Sequence, residues 1–132
     1  MKANIEKFPA QEIYPDKIVI LGKEIEADFC DAELYDRFEV IRKEAAAYKP
    51  TEGGSPGDAI REQCTFVFDC FDELFGAGTA EYVFGNRTNL RLCLQAFGEL
   101  ISQANGQVKA ISNITAGFAG NRAQRRFGNK NG

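Results

Sequence analysis

Histidine does not occur in this 132-residue chain. Its absence removes the commonest general base and the commonest metal ligand together. The four cysteines, Cys30, Cys64, Cys70 and Cys93, are scattered with no C-x-x-C pair, and their spacing offers no zinc site. No apolar run reaches membrane-spanning length, and Met1 to Pro15 holds only single apolar residues among charged and polar ones, without the core of a signal peptide. The expected location is therefore the cytoplasm, with reduced thiols and with Cys64 and Cys93 at core positions. Asn-x-Thr triplets at Asn86 and Asn113 carry no meaning without a secretory route.

Catalytic sets are missing as well. A cysteine nucleophile would lack its base. Asp69, Asp72 and Glu73 lie on the polar arc of a helix, where carboxylates are solvated rather than tuned. Gly76-Ala77-Gly78 resembles a phosphate loop only superficially: Glu81 stands at the third glycine position, no strand precedes it and no Gly-Lys-Ser/Thr follows. No enzyme activity, metal or cofactor is expected.

What is present is an ordinary globular composition, 44% apolar and 27% charged, in a length that suits one domain. The net charge of −3 conceals a division: residues 1–100 carry 11 basic and 19 acidic side chains, and residues 101–132 carry 5 basic and none acidic. An acidic body and a basic end prefer different partners.

Residues 17–29 read as a β-hairpin, with the β-branched run Ile18-Val19-Ile20, a turn at Gly22-Lys23, and alternation from Glu24 to Phe29. Asp31 is a good N-cap for a helix whose apolar stripe is Leu34, Phe38, Ile41, Ala45 and Tyr48, ended by Pro50. Thr51 to Gly57 is a linker. A second helix opens near Asp58, with Ile60, Cys64, Val67, Phe71 and Leu74 on one stripe, Phe68 and Phe75 beside it, and Gly76 at its end. Ala59, Phe66 and Cys70 form a further apolar strip on nearly the opposite side. Either this helix is packed on two sides or the strip is left for a partner. After one possible turn between Thr79 and Gly85, a third long helix is capped by Asn86 or Thr88. Its stripe is Leu90, Leu94, Phe97, Ile101, Ala104, Val108 and Ile111, flanked by Cys93 and Leu100, with Gly98 and Gly106 weakening it.

The expected fold is α+β and predominantly α-helical: an N-terminal hairpin packed on three amphipathic helices. It forms a single domain over residues 1–112, followed by a flexible basic tail over residues 113–132. The candidate protein-binding residues are Ala59, Phe66 and Cys70 on the second helix and Arg122, Arg125 and Arg126 in the tail. The eleven phenylalanines are mostly core material, with some available as interface anchors. Five positive charges beside an acidic body make a poor footprint for nucleic acid.

The runs Ala59-Ile60-Arg61-Glu62-Gln63-Cys64 to Phe75-Gly76-Ala77-Gly78-Thr79, then Val83 to Leu90 and on to Leu100, resemble small proteins from the tail modules of long-tailed bacteriophages and prophages of Gram-positive bacteria. The hairpin followed by Asp31-Ala32-Glu33-Leu34-Tyr35-Asp36-Arg37-Phe38 fits that pattern. The ending Asn121-Arg122-Ala123-Gln124-Arg125-Arg126 resembles those of phage tail assembly chaperones. The resemblance implies a chaperone that binds the tape measure protein, and the tail tube protein as a further partner, during tail assembly in the host cytoplasm. Such a protein masks apolar helical stripes and works without a membrane. A phage-encoded regulator or inhibitor of a host protein is the alternative, and self-association is compatible with either.

Overall fold

The computed structural model describes the backbone of residues 12–131 and the side chains of residues 12–114. Two antiparallel strands, β1 (Lys17–Ile20) and β2 (Lys23–Glu26), lead into four helices: α1 (Ala32–Ala47), α2 (Pro56–Phe75), α3 (Thr79–Phe84) and α4 (Leu90–Asn131). The fold is predominantly helical α+β, as the periodicities predict.

The hairpin pairs Ile20 with Lys23 and Lys17 with Glu26, so its turn is Leu21-Gly22, one residue earlier than expected. Both turn residues have positive φ, 49° at Leu21 and 82° at Gly22, the requirement of a tight hairpin turn whose twist matches its strands. Leucine adopts that conformation at a cost of about 1–2 kcal/mol. The cost is offset because Leu21 packs against the core and its N–H is bonded to α4, as described below.

The helix ends follow local chemistry. Asp31 caps α1 by accepting from the Leu34 N–H at 3.2 Å. Ser55 caps α2 and forms a reciprocal box with Asp58, with Pro56 in the first turn, so the helix opens two residues before Asp58. Asn89, rather than Asn86 or Thr88, caps α4 by accepting from the Leu92 N–H at 3.0 Å. Glu62 on α2 accepts from the Tyr48 hydroxyl and the Thr51 N–H, each at 3.1 Å, and so ties the linker to the body.

α2 lies at the centre and packs against the other three helices. Cys64, Val67, Phe71 and Leu74 are buried as the stripe predicts, whereas Ile60 is exposed. Phe29, Phe38, Phe71, Phe75 and Phe84 form a chain of ring contacts with centroids 5.0–6.2 Å apart. Phe68 joins it, 4.9 Å from Phe84. These edge and tilted geometries make one aromatic core from three helices and the loop after β2.

α4 departs from expectation in two respects. Its buried face is Cys93, Ala96, Leu100, Gln103, Ala104 and Gln107, turned by roughly 80° from the predicted stripe at 100° per residue. Leu94, placed in that stripe, is 57% exposed. Small residues let α4 approach α2 closely, while Phe97, Ile101 and Val108 flank the contact. The helical backbone also runs to Asn131, past Ile111, the last residue of the predicted stripe. A formed helix propagates cheaply, and each glycine subtracts only about 1 kcal/mol. Among the described residues no helix is long and apolar enough to cross a membrane.

Candidate protein-docking site

The site is built where α4 leaves the body, and the hairpin decides where that is. A two-stranded hairpin leaves the outer edge of β1 with unpaired backbone groups. Three α4 side chains at four-residue spacing, Glu99, Gln103 and Gln107, occupy that edge. The Leu21 N–H donates to Glu99 Oε1 at 2.8 Å. Gln103 accepts from the Val19 N–H and donates to the Val19 carbonyl, both at 2.8 Å. Gln107 accepts from the Phe29 N–H at 2.7 Å and donates to the carbonyls of Lys17 and Ala27 at 3.1 and 3.0 Å. The helix thus stands in for a third strand. On the other side Tyr82 of α3 donates its hydroxyl to the Glu24 carbonyl at 3.0 Å. Sequence reading by apolar period misses these buried amides. Their signal is a four-residue polar series running beside Ala96, Leu100 and Ala104.

Past Val108 the helix runs beyond its described contacts with the core. Residues 109–114 are all exposed. Ile111 and Ile114 continue the face that Ala104 and Gln107 bury, yet they are 47% and 56% exposed. The sequence places Phe118 next in that series, with its side chain outside the described ones. Two apolar grooves flank this overhang. One, of about 400 Å³, is lined by Phe29, Tyr35, Val108 and Ile111 among others. The other, of about 290 Å³, lies between Ile13-Tyr14-Pro15 and Ala110, Ile111 and Ile114. Cys30 lines both grooves. Gly106 permits the second, because a Cβ there would sit 2.7 Å from Ile13 Cδ1.

The rim is acidic. Asp28 and Asp36 line the grooves, and Asp16, Glu26, Asp28 and Asp31 surround an adjoining depression with Arg37. Partial burial first, and Asp28 second, push the Cys30 thiol up, so it remains protonated at neutral pH. Burial also pushes Cys70 and Cys93 up to about 12. Among the described residues no group of three or more potential ligands is placed to hold a metal ion.

The strip Ala59, Phe66 and Cys70 lies partly within the fold. Cys70 is buried, and Phe66 stacks on Tyr48 with centroids 4.6 Å apart. Ala59 is partly buried. Tyr48, at the end of α1, lies against that side of α2. Asp72 accepts from the Ala80 N–H at 2.9 Å, a structural task at the start of α3. Arg122, Arg125 and Arg126 fall on the helical backbone of α4, and their side chains lie outside the described residues.

Residues 21–129 match the family of unknown function DUF6673, and the chain belongs to that family. The match spans the hairpin turn, the body and the overhang of α4. No curated protein and no solved structure matches the chain.

Proposed function

We propose that this DUF6673 member is a non-enzymatic tail assembly chaperone of a long-tailed phage or prophage, acting in the bacterial cytoplasm on the tape measure protein. The supporting observation is the overhang: a core-type apolar face, Ile111 and Ile114, that the body leaves exposed between two apolar grooves. Such a notch suits an amphipathic helix laid against α4. A tape measure protein is a long, largely helical chain that shows apolar stripes until the tube closes around it. Many copies of a small chaperone, each weakly bound, would hold it in solution by avidity. The tail tube protein is a further partner in this reading. The charge division favours a protein client over nucleic acid, since the notch is rimmed by carboxylates.

The test is co-expression with the tape measure protein encoded beside it. The wild-type chain should raise the soluble fraction of that client and co-purify with it. Ile114→Asp should do neither, while folding normally because Ile114 is solvent-exposed. A client whose solubility ignores the wild-type chain would sink the proposal.

A further inference from the structure

We propose that the outer edge of β2 receives an extended, basic segment of a partner protein, which adds to the hairpin as a further strand. This edge is a different surface from the notch at α4. The proposal goes beyond the client reading and is tested without any client.

The ladder supplies the first argument. With Leu21-Gly22 as the turn, Ile20 bonds Lys23 and Ile18 bonds Ile25, and the Ala27 N–H donates to the Asp16 carbonyl at 3.1 Å. In an antiparallel pair the residues between these point their backbone groups outward, here Lys17, Val19, Glu24 and Glu26. On β1 the outward groups of Val19 and the Lys17 carbonyl are taken by Gln103 and Gln107. On β2 the Tyr82 hydroxyl takes the Glu24 carbonyl at the turn end. The Glu24 N–H and both backbone groups of Glu26 have no partner among the described residues, and both side chains are exposed. One edge is thus closed by amides, and the other is an open template centred on Glu26.

Charge selects the occupant. Glu24 and Glu26, two residues apart, share the solvent face of the strand, and Ile25 between them is buried. Every antiparallel register that pairs this stretch with the same stretch of a second copy sets one carboxylate directly opposite another, which is unfavourable. Lysine or arginine at alternate positions of a different strand meets them favourably. Lys17 lies 3.2 Å from Glu24, while Lys23 and Arg37 are engaged with the carbonyls of Tyr82 and Leu74. Asp16, Asp28 and Asp31 join Glu26 around the depression at its end, where Leu34 and Phe75 add apolar surface. The segment that fits is therefore extended and cationic at every second residue, with an apolar side chain between, on the face that Ile25 turns to the core.

Amide-resolved NMR on the full chain tests this. The probe is a capped peptide of about seven residues in which lysine alternates with valine. A second peptide of the same composition, its lysines in one block, controls for charge alone. The alternating peptide should shift the Glu24 and Glu26 amide signals. At free peptide about ten times Kd, hydrogen exchange at those two amides should slow about tenfold. Glu26→Pro removes an N–H that the ladder does not use, so it should keep its circular dichroism spectrum and bind about tenfold more weakly or worse. Glu26→Lys keeps the N–H and reverses the charge; it should weaken binding to a similar degree, and it decides the matter if the proline variant unfolds. Unchanged Glu24 and Glu26 amides at about 1 mM peptide overturn the proposal. So does a block peptide that binds as tightly, or a folded variant of Glu26 that binds as the wild type does.

Discussion

At the scale of single residues, two buried amides matter more than most of the hydrophobic side chains. Gln107 serves one N–H and two carbonyls of the hairpin region. Gln107→Leu keeps most of the volume but leaves all three groups without partners. Each such orphan carries its own desolvation cost, so urea unfolding should show a loss of about 2–4 kcal/mol. A loss below about 0.5 kcal/mol would mean water replaces the amide. The thiols give a second residue-level expectation. Burial holds Cys70 at about 12, above the ordinary thiol value, so its contribution is complete below that value and is lost as pH rises toward about 12. The stability gap between wild type and Cys70→Ala should therefore narrow above about pH 9. In native protein a disulfide reagent should titrate Cys30 alone, because Cys64, Cys70 and Cys93 are buried; all four should react in denaturant.

At the scale of elements, the ends and the faces have different origins. The start of α2 is local chemistry: Asp58 bonds the Ser55 N–H and pairs with Arg61 at 2.6 Å. These partners, Arg61 foremost, hold its carboxyl below the usual range. The stabilisation is thus present above the ordinary Asp value and is lost as pH falls through the depressed one. Asp58→Asn should melt below the wild type near neutrality and coincide with it in strong acid. Equal melting temperatures at both pH values would show that the pair contributes nothing. The face of α4 is not local. Its sequence offers two competing stripes about 80° apart, and the richer in large apolar residues is the one not chosen. The winning face carries Ala96, Ala104 and Cys93 for close approach to α2, and the amides that complete the hairpin edge. Neither advantage exists until the hairpin and α2 are in place.

At the scale of the molecule, body and overhang are separable. The described contacts of α4 with the core end at Val108, and Lys109 onward is exposed through Ile114. Deleting residues 119–132 should shift the melting temperature by no more than about 2 °C in dilute solution. A truncated chain that unfolds would place the end of α4 against the body.

Helix existence, the cap at Asp31, the hairpin and the division of charge were legible from residue types and spacing alone, because each is decided within a few neighbouring residues. Asp31, Gly76 and the stripe from Cys64 to Leu74 act locally, and the structure leaves them where the sequence put them. Tertiary contacts decided the rest. Whether Ala59, Phe66 and Cys70 faced a partner or the fold depended on Tyr48 and α1 arriving over them. The proposed docking notch depended on the described core contacts ending at Val108 while the helix continued. An apolar period shows that a face will be buried. It cannot show how far the cover extends, because the cover consists of residues about eighty positions away in the chain, joined to α4 only on folding.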